Sequence, residues 1–302
     1  MADSCLRVLL SDGYTSVSAV MMLDVVREAQ RRHAPSPIAS VALGRAIVAG
    51  ALLGSTVRED GRVNLQIVGN GPMGALLVDV TGAGNVRAYT RAPLVTMPLG
   101  SGRVRVAQAV GREGFLNVLL DPSGGKYTRA TTELTSGEID DDVATYLQRS
   151  AQVHSALGAD VLLAESGQAR VAAGLLVQLL PGGHRGLVDA ARHILRDGGI
   201  HPLLAGDPPA TPLALIERLF PREQLQILDE RPLRWQCTCS RDRVIGAIAT
   251  LGPVEVGKIL HEDGKVDATC DFCSSSYVLN RDDLTALLAE MQAHARGGPE
   301  VA

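Results

Sequence analysis

A chain of 302 residues with a net charge of −4 and an isoelectric point near 6.0 is not built mainly to neutralise phosphates or to coat an anionic membrane. Its composition, 46% hydrophobic and 21% charged, leaves ample apolar surface for a core, and its length suits two or three compact units. The first residues, 1–12, lack the basic start, apolar stretch and small-residue cleavage site of a secretory signal, so a cytoplasmic location is expected. Four of the five cysteines fall in the last quarter; in a reducing compartment such a cluster points to metal or redox chemistry rather than a disulfide framework.

From the N-terminus to about residue 180 the pattern is mixed. Ser36 followed by Pro37 is a cap and first-turn pair, and predicts a helix packed against a sheet. The apolar run 37–57 carries Arg45 together with Gly44, Gly50 and Gly54, which favours a buried helix over a membrane span. Strands are predicted over 63–68, 75–80 and 86–90, separated by the Gly-rich turns at 69–74 and 81–84, which suggests an antiparallel meander. Further strands are expected over 114–120 and 127–133, and over 161–165 and 169–180. Between these groups Thr135 and Glu138 read as a capping box ahead of Val143, Tyr146 and Leu147.

Residues 181–231 change character. Pro181-Gly182-Gly183, Gly198-Gly199 and Pro208-Pro209 punctuate two amphipathic stretches, the first with Leu187, Ala190, Ala191, Ile194 and Leu195 at helical spacing, the second with Leu215, Ile216, Leu219 and Phe220. The segment reads as a helical linker, and a small bundle docked on the sheet satisfies the same pattern. The fold expected is therefore α+β: an N-terminal mixed domain (1–180) with a largely antiparallel sheet and packed helices, an amphipathic helical linker (181–231) and a small C-terminal α/β zinc module (232–302).

In that module Cys237 and Cys239 form Cys-x-Cys, and Cys270 and Cys273 form Cys-x-x-Cys. Zinc takes a tetrahedron of soft ligands with sulfur at ~2.3 Å, and two close pairs flanking a folded excursion supply one Zn2+ with four thiolates. Ser240 is placed to cap a helix with Val244, Ala247, Ile248 and Leu251 on one face, stopped by Gly252-Pro253. Val256, Ile259 and Leu260 suggest a second short helix ending near Gly264, before a strand through Val266. After the knuckle a strand through Tyr277 and a helix from Asn280 are expected. Spacing alone describes a permanent structural clip. That reading is softened, not displaced, by three features: each pair is able to oxidise within itself, a disulfide between residues so close as Cys237 and Cys239 is short and labile, and metal-bound sulfurs are thiolates, the form that oxidants attack. Structural zinc is worth roughly 10–16 kcal/mol, so its loss unfolds such a module.

Taken in order, Arg231-Pro232-Leu233, Cys237-Thr238-Cys239-Ser240-Arg241, Glu262-Asp263-Gly264, Cys270-Asp271-Phe272-Cys273 and Tyr277 resemble the 33 kDa chaperonin family. The resemblance extends upstream through Ala42-Leu43-Gly44-Arg45, Gly69-Asn70-Gly71-Pro72, Ser136-Gly137-Glu138-Ile139 and the run from Gly174 to Pro181. It implies an ATP-independent holdase that prevents aggregation of unfolded client proteins. The reduced, zinc-bound form would be inactive, and oxidation with zinc release would unfold the module and linker. Carried over, Cys237, Cys239, Cys270 and Cys273 would ligate zinc when reduced. When oxidised they would pair as Cys237 with Cys239 and Cys270 with Cys273, in a form that tends to dimerise. Client-binding candidates are Leu187, Ile194, Leu195, Leu219 and Phe220. The family usually has glycine after the second cysteine of the knuckle; this chain has Ser274, where a left-handed backbone costs serine more than glycine. Cys5 reads as a small buried hydrophobe.

Three other readings fit parts of the sequence. Gly69-Asn70-Gly71-Pro72-Met73-Gly74 fits G-x-G-x-x-G, but 75–80 reads as a strand and Gly82 and Gly84 end it too early for a crossover helix, so a hairpin is the better reading. A zinc-ribbon nucleic-acid module would use Trp235, Phe272 and Tyr277 for stacking, but residues 231–302 hold eight Lys or Arg against ten Asp or Glu and no basic stripe; these aromatics are expected around the zinc site. A non-chaperone adaptor with a permanent zinc clip is the third. The seven histidines are scattered without a nucleophile or carboxylate motif beside them, so no enzyme activity is expected. Nor is nucleotide, nucleic acid or membrane expected as a partner.

Overall fold

The small, apolar residues behind Ser36-Pro37 make a helix with no polar stripe, and such a helix must be covered on all sides. The structure, a computed structural model, describes residues 2–100 and 102–296, which fall into two compact units, Met1–Gln236 and Cys237–Ala302. In chain order the first contains β1 (Ser4–Leu10), β2 (Thr15–Met21), α1 (Leu23–His33), α2 (Pro37–Gly54), β3 (Arg62–Gly69), β4 (Ala75–Thr81), β5 (Asn85–Thr90), the single-turn α3 (Ala107–Val110), β6 (Gly114–Asp121), β7 (Thr128–Glu133) and α4 (Ile139–Arg149). It continues with β8 (Ser155–Leu163), β9 (Ala169–Leu179), α5 (Gly186–Leu195), the short α6 (His201–Ala205) and α7 (Pro212–Ile216), β10 (Leu225–Pro232) and β11 (Arg234–Trp235).

One sheet has the order β10-β1-β2-β9-β8 and the other β11-β5-β4-β3-β6-β7, antiparallel throughout except for the parallel β11–β5 pair. Helix α2 lies between them, touching β2, β8 and β9 on one side and β3, β4 and β5 on the other. Ser36 caps it by accepting from the Ala39 N–H at 3.4 Å. Its glycines set the sheet spacing: a Cβ at Gly44 would sit 2.7 Å from Val161 Cγ2 in the first sheet, and one at Gly50 2.8 Å from Val78 Cγ1 in the second. Long and apolar enough to cross a bilayer, α2 is instead 94% buried inside the protein.

A second core covers the outer face of the first sheet. Leu6, Val8, Leu10, Val17 and Ala19 meet Val188, Ala191 and Leu195 of α5, Leu204 of α6, Leu215 and Ile216 of α7, and Phe220. Residues 186–216 of the expected linker are thus docked on that sheet. Residues 225–232, expected to continue the helical linker, form the edge strand β10 instead. Their backbone groups find partners on β1 from Ser4↔Pro232 to Leu10↔Leu225, long-range pairing that local sequence does not announce. The antiparallel meander of β3, β4 and β5 is present, whereas β8 begins at Ser155, ahead of the expected 161.

The capping box at Thr135 and Glu138 is not formed. Asp142 takes that role, its Oδ1 accepting from the Thr135 and Ser136 N–H groups at 2.8 and 2.9 Å and its Oδ2 from Gly137 at 2.9 Å. Glu138 turns inward to Arg45. That arginine is completely buried and donates to Asp160 Oδ1 at 2.8 Å, Glu138 Oε2 at 3.0 Å and the Val104 carbonyl at 2.8 Å. Arg103 chelates Asp140 at 2.7 and 2.8 Å, and His201 Nδ1 lies 2.7 Å from Asp160 Oδ2. Within this arginine cluster each buried charge therefore has a partner of opposite sign, without which its desolvation would be prohibitive.

The second unit is built from α8 (Arg241–Ala249), α9 (Pro253–Glu262), β12 (Val266–Thr269), β13 (Ser276–Leu279) and α10 (Arg281–Arg296). Ser240 caps α8 through the Arg243 N–H at 3.2 Å, and the chain bends by 111° into α9 at Gly252, whose φ of 86° suits glycine. Asn280 and Asp283 cap α10 reciprocally at 3.0 and 2.8 Å. Among its described residues the buried apolar side chains are Val256, Cys273, Leu279, Leu284 and Leu287, a thin core for a unit of this size.

Candidate metal centre

Cys237 and Cys239 precede the capped start of α8, and Cys270 and Cys273 occupy the knuckle joining β12 to β13. The knuckle is closed by the Cys270 N–H on the Ser275 carbonyl at 2.9 Å and the Ser274 N–H on the Cys270 carbonyl at 2.8 Å. Ser274 holds φ at 58°, the left-handed backbone expected at this position. Both pairs thereby converge: Cys237 and Cys270 Sγ lie 3.7 Å apart, Cys239 and Cys273 Sγ 3.3 Å, and all four sulfurs within 4.8 Å of one another. A tetrahedron with ~2.3 Å metal–sulfur bonds has edges of about 3.8 Å, so the donor set fits a zinc ion.

Without a cation Cys239, Cys270 and Cys273 do not ionise together. Burial pushes the Cys270 thiol up to about 12 and also raises Cys239. Burial opposes ionisation of Cys273 as well, but Ser275, through its hydroxyl 3.2 Å away and its backbone, brings that thiol down to about 6. Tyr277 donates to Cys239 Sγ at 3.0 Å, and this bond pushes its phenol up to about 12. A dication among them favours all four thiolates.

The remaining sequence-based candidates are distributed differently. Leu195 and Phe220 are buried in the second core, Leu219 is partly buried, and Leu187 and Ile194 are 37% and 45% exposed. The five do not form one stripe: Leu195, with Val188, faces the sheet, whereas Leu187, Ala190, Ala191 and Ile194 line a groove of about 260 Å³ with Leu219, Phe220 and Pro221. Trp235, expected beside the cysteines, belongs to the first unit, with Arg32 Cζ 5.7 Å from its ring and His33 at 6.2 Å; Tyr277 bonds to the Cys239 sulfur through its hydroxyl, and Phe272 to Cys270 through its backbone N–H. The motif at Gly69–Gly74 is a hairpin turn between β3 and β4, closed by the Gly69 N–H on the Gly74 carbonyl at 3.1 Å, with no helix to receive a pyrophosphate. Cys5 is buried in β1, where burial lifts its thiol to about 12. The Arg45 cluster was missed; its signal was a lone arginine inside an apolar run.

Comparison with known proteins agrees with this arrangement. The family model described as Hsp33 protein matches residues 3–280. The 33 kDa chaperonin of Rippkaea orientalis (strain PCC 8801 / RF-1) is 38% identical, with 98% of this chain and all of the relative aligned. That of Synechocystis sp. is 39% identical over 97% of this chain and 98% of the relative. The crystal structure of the 33 kDa chaperonin (heat shock protein 33 homolog) of Thermotoga maritima superposes with a TM-score of 0.84 at 30% identity, covering 97% of this chain and all of that one. With a family match over nearly its whole length and the paired cysteines that the motif demands brought to one point, the chain belongs to the 33 kDa chaperonin, or Hsp33, family.

Proposed function

We infer that the protein is a redox-regulated, ATP-independent holdase that binds unfolding proteins in the cytoplasm under oxidative stress. The observation that carries this reading is the meeting of four thiol sulfurs within 4.8 Å in a unit with so small an apolar core. Units below about 70 residues seldom hold together on hydrophobic burial alone, and a structural zinc worth roughly 10–16 kcal/mol supplies what is lacking. Cys237, Cys239, Cys270 and Cys273 would hold the ion, which when bound keeps the sulfurs as thiolates and the module folded.

Two molecules of peroxide remove four electrons from the four thiolates; with four protons they become four waters, and two sulfur–sulfur bonds form. The sulfurs then no longer ligate, and the module unfolds together with the amphipathic segment 181–231. We assign the disulfides to Cys237 with Cys239 and Cys270 with Cys273, the pairing implied by family resemblance. Exposure of the groove around Leu187, Ile194, Leu219 and Phe220, and of buried Leu195, supplies the apolar surface for clients, and the oxidised form is expected to dimerise. No catalytic step is involved. The test dilutes a chemically unfolded protein into buffer with the chain either reduced and zinc-loaded or peroxide-treated at elevated temperature, following light scattering and released zinc together. Suppression by the oxidised form only, with zinc leaving in step, is expected. Zinc retained in both forms and no suppression would replace the switch by a permanent clip on an adaptor.

A further inference from the structure

Residues 225–236 close two sheets at once. β10 is the edge strand of the first sheet and β11 that of the second, and the next residue is Cys237. β10 has few side-chain anchors: Ile227 and Leu228 are 59% and 46% exposed, which leaves Leu225, half-buried against the second core, and Arg231, which donates to the Gly82 carbonyl at 2.6 Å. What holds it is backbone pairing with β1, flanked by the Ser11 N–H on the Gln224 carbonyl and the Leu233 N–H on the Asp3 carbonyl, both 2.9 Å. β1 differs in kind, since Leu6, Val8 and Leu10 are all buried. A firm strand is thus covered by a loose strap that runs directly into the cysteine module.

We propose that β10 is a stand-in for the client: when the strap leaves, the edge of β1 receives an extended segment of an unfolded protein by antiparallel strand addition. This rests on the holdase reading and gives it a binding mode. The strap shows what fits. Seven residues of β1 are paired, the backbone supplies affinity without regard to sequence, and Arg7 stands opposite Asp229, so an acidic or neutral residue suits the middle of the segment. A second copy of this chain fits less well. Arg7 is the central residue of β1 (Ser4–Leu10), so antiparallel self-pairing in full register sets arginine against arginine, and like charges directly opposite are destabilising.

The probe is a fluorescent peptide of sequence 225–232, titrated into the full chain, either reduced and zinc-loaded or peroxide-treated. Binding is expected only to the treated form, with displacement of a held client. A scan of single backbone N-methyl groups is expected to weaken binding about tenfold at every second residue. The alternation should shift at Leu228, the residue left unpaired between Asp229, opposite Arg7, and Ile227, opposite Val8. Trp235, the only tryptophan, reports departure of the strap by a red shift of its emission on oxidation. A scan without alternation, or unmoved Trp235 emission, overturns the proposal; if the treated chain still suppresses aggregation, the holdase reading survives it. A treated chain that binds the peptide in alternation yet holds no client removes both. An oxidised dimer that the peptide splits assigns the edge to a second copy and overturns the proposal.

Discussion

Replacing Ser274 by glycine, with alanine as the side-chain control, tests one backbone angle in the candidate metal centre. At φ of 58° a residue with a Cβ carries a penalty of roughly 1–2 kcal/mol, whereas glycine carries none but loses about 0.5–1 kcal/mol more in conformational freedom on folding. The difference, about 0.5–1 kcal/mol, favours S274G and belongs to the folded knuckle that presents Cys270 and Cys273. Because 1.4 kcal/mol is tenfold in an equilibrium constant, zinc affinity should rise about two- to fivefold. Competition against a chromogenic chelator at fixed pH, with the thiols kept reduced, measures this directly, and S274A, which keeps the Cβ, should show no gain. Peroxide should then release zinc more slowly from S274G, delaying activation. An S274G affinity equal to or below that of the parent, or an equal gain in S274A, would refute the assignment of the cost to the left-handed backbone.

Other expectations concern both units. Asp160→Asn leaves Arg45 and His201 without their shared carboxylate and should cost about 3–5 kcal/mol in denaturant unfolding of the first unit; a loss below 1 kcal/mol would mean the cluster is not a dry ion network. Burial raises the Asp141 carboxyl to about 6, with Asp140 beside it adding to the shift. Its folded value lies above its unfolded one, so the stability it confers is complete below about pH 4 and lost as pH rises through about 6. Asp141→Asn should therefore gain on the parent between pH 4 and 7, by about 1 kcal/mol after allowance for solvent screening, and parallel stability curves would contradict the shift. Chelation of zinc under reducing conditions should abolish the far-ultraviolet helix signal of 241–296 and leave the first unit's transition in place. Peptide mapping of the oxidised chain should recover Cys237 with Cys239 and Cys270 with Cys273. Bonds from Cys237 to Cys270 or from Cys239 to Cys273, whose sulfurs already lie 3.7 and 3.3 Å apart, would reverse that assignment.

Local signals were legible wherever neighbours in the chain supply the physics. Ser36-Pro37, Ser240 and Asn280 start helices because a short polar side chain satisfies free N–H groups one turn on, and the Gly-rich turns at 69–74 and 81–84 force hairpins. Each cysteine pair was legible for the same reason, and their convergence within 4.8 Å is the work of the fold between them. What stayed hidden depends on partners far away in sequence. Which stripe of α5 faces inward was settled by the sheet it docks on, leaving Leu187 and Ile194 outside. Arg45 had no visible partner until α4 and β8 brought Glu138 and Asp160 to it. Residues 225–232 carry no strong strand pattern, and β1, more than two hundred positions earlier, makes them a strand. The sequence by itself determined the helix starts at Ser36, Ser240 and Asn280, the turns and the two close cysteine pairs, because these depend on groups a few residues apart. Only the tertiary structure decided the buried ion network and the strap across both sheet edges, because desolvation and strand pairing are properties of the partner as much as of the segment.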